Sequence, residues 1–136
     1  QTSNLSANDT VTFEESKRGG ITSGFLDTVT NPGRFTLQAG KTYKLTGKVA
    51  ITWSISNAYA GFQFYDVTNS QYVGFSSFNP STSAPDYGSQ PDTVAIVTPS
   101  SDTEYELRIN TVSASMASIK ATGTIVLIEQ IRTEDT

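Results

Sequence analysis

The side chains here that could carry hydrolytic chemistry without histidine or cysteine are carboxylates. Asp66, Asp86, Asp92, Asp102, Glu104 and Glu106 fall in its middle and last thirds, and two carboxylates at a suitable separation are enough for glycoside hydrolysis. Every globular domain carries such surface acids, however, so no enzyme is expected from them. Histidine is absent, which removes the Ser-His-Asp and Cys-His arrangements together with the commonest zinc ligand. Cysteine is absent too, leaving neither thiol chemistry nor a disulfide framework. Asp66 with Asn69, and Asp86 with Asp92, offer oxygen atoms suited to calcium, but neither pair has the spacing of a calcium loop. Turn chemistry, in which these short side chains bond their own backbone, explains them better. Gly19 and Gly20 stand alone and read as a turn, not a phosphate cradle. No metal or cofactor is expected.

What remains is recognition by shape and aromatic contact. Tyr59 and Tyr72 sit near the ends of extended runs, and Tyr87 lies with Asp86 in a stretch punctuated by Pro80, Pro85, Gly88 and Pro91. These four residues are the expected ligand contacts, because a surface loop beside tyrosine rings suits a ligand; ordinary packing of the aromatic rings is the alternative. Trp53 shares the parity of Tyr43, Leu45, Val49 and Ile51 and is expected in the core instead.

The elements that must position these residues are strands. Residues 41–56 alternate, with Tyr43, Leu45, Val49, Ile51 and Ile55 on one side and Lys44, Thr46, Lys48 and Thr52 on the other, the pattern of a half-buried strand. Residues 34–38 precede it across the Ala39-Gly40 break, and Asn31-Pro32-Gly33 reads as a turn. Residues 59–67 and 71–78 form an expected hairpin about Asn69-Ser70, and residues 79–91 form the longest expected loop. Residues 93–98, 103–112 and 117–131 follow as strands, the middle one turning Tyr105, Leu107 and Ile109 inward. Residues 10–15 and 21–28 give two weaker strands, for about eight or nine in all.

Together these predict an all-β antiparallel β-sandwich, with a jelly roll as the preferred winding. At 136 residues the chain is expected to be one domain, with residues 1–20 as a peripheral segment. Charged residues make up only 16% of it, and the Thr, Ser, Gly and Asn that fill the gaps suit strands and turns. A net charge of −4 argues against nucleic acid or an anionic membrane as partner. No apolar stretch has the length of a membrane span, so insertion is not expected. The start at Gln1-Thr2-Ser3 reads as a fragment or processed chain. Asn4 and Asn8 each begin a glycosylation sequon, which matters only in a eukaryotic secretory pathway.

The last expected strand breaks the half-buried pattern, because Ile125, Val126, Leu127 and Ile128 put bulky groups on both faces, followed by Ile131. Two apolar faces need two covers. The second is either another element of the same chain or another subunit, and Val126, Ile128 and Ile131 are the expected interface residues.

Residues 31–53, N-P-G-R-F-T-L-Q-A-G-K-T-Y-K-L-T-G-K-V-A-I-T-W, resemble the opening of tumour-necrosis-factor-like and complement-globular-head jelly rolls, with Phe35, Gly40, Tyr43 and Val49 carrying the match. Residues 121–131, A-T-G-T-I-V-L-I-E-Q-I, look like the closing strand of related modules at the ends of bacteriophage tail fibres and tailspikes. The resemblance implies a homotrimer packed along jelly-roll edges and displayed on a virion or secreted stalk. The expected function is therefore trimer assembly and host-surface attachment without catalysis. The alternative is a monomeric carbohydrate-binding module of a secreted bacterial protein.

Overall fold

The computed structural model describes residues 6–12, 26–27, 29–53, 58–80, 92–113, 117–119 and 124–131. Among the described residues there is no helix, and the strands are β1 (Leu26–Asp27), β2 (Arg34–Leu37), β3 (Thr42–Lys48), β4 (Ile51–Trp53), β5 (Tyr59–Asp66), β6 (Gln71–Pro80), β7 (Thr93–Val97), β8 (Thr103–Val112), β9 (Ala117–Ile119) and β10 (Ile125–Ile131). A five-stranded antiparallel sheet runs β1-β2-β8-β5-β6, a three-stranded one runs β10-β3-β7, and β4 pairs with β9. The chain is an all-β sandwich.

The alternation in the sequence explains which faces meet. Phe62 and Phe64 on β5, Leu107 and Ile109 on β8, and Phe35 and Leu37 on β2 are fully or almost fully buried, as are Tyr43 and Leu45 on β3. Phe35 lies edge-on to Phe64, ring centroids 6.4 Å apart, and stacks on Tyr105 at 6.2 Å. Gly47 continues the inward row of β3, where an added Cβ would sit only 3.0–3.2 Å from Thr93, Leu107 and Phe64, so the two sheets approach closely there.

Two long runs of the sequence each divide into two strands. Lys48 pairs with Ile125, but Ile51 pairs with Ile119, so the partner chain uses extra residues between the two ladders. Val49, Ala50 and Ile51 are all buried, so strict alternation is lost at the break. The Ala50 amide is satisfied there by the Thr124 hydroxyl at 3.0 Å instead of by a ladder bond. On β6 the strand extends through Asn79 and Pro80, opposite Ala60 and Tyr59. The expected loop therefore begins later than position 79. Residues 81–91, with Asp86 and Tyr87, lie outside the described residues, as does the Trp53 side chain.

Opposite Gln63, β6 carries Gly74, Phe75 and Ser76 between its Val73 and Ser77 pairings. This bulge turns the edge of the large sheet onto β7: the Thr93 hydroxyl donates to the Phe75 carbonyl, and Gly74, at φ +75°, lies against Val94 and Ala95. The other side is closed from the N-terminus. Val11 and Asn8 amides donate to the Leu107 and Ile109 carbonyls, each at 2.8 Å, and Val11 is fully buried. Residues 8–11 thus belong to the core and its edge, not to the periphery expected of residues 1–20.

Candidate functional site

The outward face of β10-β3-β7 is the least ordinary surface among the described residues. Register aligns Leu127 with Thr46 and Val94, Glu129 with Lys44 and Ile96, Ile125 with Lys48, and Ile131 with Thr42. Ile96 is 67% exposed, Ile125 58% and Leu127 51%, and Ile131 is also exposed, so large aliphatic groups flank a central row of threonines and lysines. Val126 and Ile128, expected at a subunit interface, instead pack half-buried against the core. They sit opposite Gly47 and Leu45, which face inward. The outward side of the strand therefore belongs to Ile125, Leu127 and Ile131. Parity alone cannot decide this, because both sides of β10 are apolar; the register against β3 does. Beyond β10 no further strand pairs among the described residues.

Of the expected ligand residues, the two that are described, Tyr59 and Tyr72, are not brought together. Tyr59 opens β5 and stacks on Phe78, centroids 5.1 Å apart, and both rings are partly exposed next to where residues 81–91 begin. Tyr72 pairs with Tyr65 toward the far end of the same hairpin, about 20 Å from Tyr59 at the usual strand rise. Its ring meets Tyr65 edge-on at 5.0 Å, the Arg108 guanidinium lies 3.7 Å over Tyr65, and its hydroxyl donates to Asn8 Oδ1 at 3.2 Å. Burial raises the Tyr72 pKa, with Arg108 pulling the other way. This tyrosine pair buttresses the sheet surface.

Among the described acids Asp66 and Glu106 are buried, and Glu106 is the one held by arginines. It lies on the outward face of β8, yet Arg34, Arg108 and Thr10 enclose it: Arg34 donates to Oε1 from Nε and Nη2 at 2.9 and 2.7 Å, and Arg108 Nε and Thr10 Oγ1 donate to Oε2 at 2.8 Å. Burial pushes its pKa up, but the bonds from Arg108, Arg34 and Thr10 outweigh that and hold it below the usual glutamate value. A carboxylate kept ionised between two guanidiniums has no proton to give at neutral pH, and its bonds tie β8 to Arg34 and to Thr10. Asp92 reaches Lys48 at 3.6 Å, and Asp102 accepts from the Ala39 amide at 2.9 Å.

At one end of the sandwich, the β5–β6 turn and the β7–β8 loop enclose a cavity of about 270 Å³. Asp66 and Tyr105, paired across β5 and β8, form its inner wall and are 4% and 3% exposed. Asp66 accepts from the Asn69 amide at 2.9 Å and from Asn69 Nδ2 at 2.8 Å, the turn chemistry its spacing suggests. Burial, with the Asp66 charge adding to it, pushes the Tyr105 hydroxyl up to about 12. Sequence alternation marks Tyr105 as a core residue but carries no sign of this cavity, whose walls come from loops far apart in the chain.

No protein-family model matches the chain, and no curated protein sequence matches it.

Proposed function

We propose that this domain is a non-catalytic head module of a virion fibre or spike, forming a homotrimer and attaching to a glycan or protein on the host surface. The observation that carries the reading is the exposed aliphatic face of β10-β3-β7, with Ile96, Ile125 and Leu127 all more than half exposed. Side chains of this size on a sheet's outward face lose contact with water when a second copy covers them, and closed symmetry lets one patch serve every subunit. Lys44 and Glu129, aligned in one row, supply opposite charges that set register between copies.

The sandwich is further proposed to be a jelly roll. β5 pairs with β6, β3 with β7 and β2 with β8, a nested series of the kind produced by winding one long hairpin into two sheets. Three weak attachment sites on one rigid trimer would gain avidity without a catalytic group.

The partly exposed Tyr59–Phe78 stack favours a second reading, a monomeric carbohydrate-binding module that uses these rings as a platform. Leu127→Lys separates the two. Under the assembly reading it converts the trimer to monomer while the circular dichroism of the sheet is preserved; an unchanged oligomer, or a wild type already monomeric, favours the second reading.

A further inference from the structure

We propose that the cavity between the β5–β6 turn and the β7–β8 loop binds one neutral pyranose ring of a glycan, with Tyr105 and Asp66 as its inner contacts. This deepens the attachment half of the proposed function and rests on it, whereas the assembly face plays no part.

The hydroxyl of Tyr105 is the starting point. Its ring is almost wholly buried, but the hydroxyl is not a buried atom left without a partner: it opens on the cavity, and no hydrogen bond ties it to another described residue. A hydroxyl so placed is free to bond water or a polar group that enters from outside the chain. Asp66 stands beside it as the register partner on β5. A carboxylate accepts about four hydrogen bonds, and Asn69 supplies only the two at 2.8 and 2.9 Å.

A donor and an acceptor on neighbouring strand positions match neighbouring hydroxyls of a sugar, one accepting from Tyr105 and the next donating to Asp66. The rim adds Gln71, Thr98, Ser100 and Ser101, which both donate and accept, while Val73, Val97 and Pro99 give an apolar wall for the C–H face of a ring. Among the described residues no lysine or arginine lines the space, and the Asp66 charge repels anions, so phosphate and acidic sugars are disfavoured. At about 270 Å³ the volume is that of about nine liquid waters, the scale of a single ring.

The test is saturation-transfer NMR on the 136-residue chain with glucose, galactose, mannose and N-acetylglucosamine, each offered separately at millimolar concentration. At least one is expected to bind, with affinity falling about tenfold or more in Tyr105→Phe and binding abolished in Ser100→Trp, which fills the mouth. Because the Tyr105 hydroxyl bonds no other described residue, Tyr105→Phe should not lower the unfolding temperature. A purely structural hydroxyl would do the reverse, costing stability and leaving binding intact. The proposal is overturned if none of the four sugars binds, if binding survives Ser100→Trp, or if Tyr105→Phe keeps full affinity. Light scattering on the same samples reports assembly separately, so failure of this site is distinguishable from failure of the trimer.

Discussion

Replacing Glu106 by Gln keeps the shape of the side chain and removes one oxygen and one charge. The carboxylate now satisfies four donors: two from Arg34 on Oε1, and one each from Arg108 and Thr10 on Oε2. An amide can keep its carbonyl toward Arg34, but its NH₂ then meets the Arg108 N–H donor to donor, and the Thr10 hydroxyl must rotate to accept. One charge-assisted bond is lost, worth about 1.5–3 kcal/mol, and the two from Arg34 keep their ionised donor but lose the ionised acceptor. Removing one partner of a buried ion cluster costs about 3–5 kcal/mol. The Arg34 and Arg108 side chains are 20% and 19% exposed, so water softens the loss and the lower end, about 3 kcal/mol, is expected. For a chain of this size that lowers the unfolding temperature by about 10–15 °C, measured by circular dichroism at pH 7. The loss also has a pH signature. Folding lowers the Glu106 pKa, so its contribution is complete above the ordinary value of 4.5 and disappears as pH falls through the lower folded value. The difference between wild type and Glu106→Gln should therefore hold from neutral pH to about 4.5 and shrink in stronger acid. A shift below about 3 °C at pH 7, or a difference that grows on acidification, would refute the reasoning.

Other perturbations test other parts of the structure. Val126→Lys places an ammonium where a half-buried aliphatic group packs on the core, and should cost about 2–3 kcal/mol in urea unfolding. Gly74→Ala should cost more than about 2 kcal/mol by the same assay, because φ is +75° and the new methyl would lie 2.3 Å from the Val94 carbonyl oxygen. Phe78→Ser removes the ring stacked on Tyr59 and should cost about 1 kcal/mol, with loss of any aromatic-platform sugar binding but no effect on the cavity site.

Much of the fold is legible in the sequence because one face of most strands is wet. Alternation picks out Phe35, Tyr43, Leu45, Tyr105, Leu107 and Ile109 as inward residues, and all six are buried. The same rule fails at β10, where apolar groups occupy both parities and only pairing with Tyr43 and Leu45 tells inside from outside. It also fails to find the Glu106 cluster. Arg34 and Glu106 are separated by 72 positions, and their pairing follows from the β2–β8 register, which no local pattern encodes. The end cavity is invisible for a related reason: its Ser and Thr residues are the commonest kinds in the chain, and their convergence depends on how the loops meet.

Assembly through the outward face of β10-β3-β7 is the central claim, and the solution mass of the wild-type chain tests it most directly. Light scattering over a concentration series should give a constant mass three times the 14.6 kDa of one chain. A mass of one chain at every concentration would contradict the claim and leave Ile96, Ile125 and Leu127 facing water in an isolated domain.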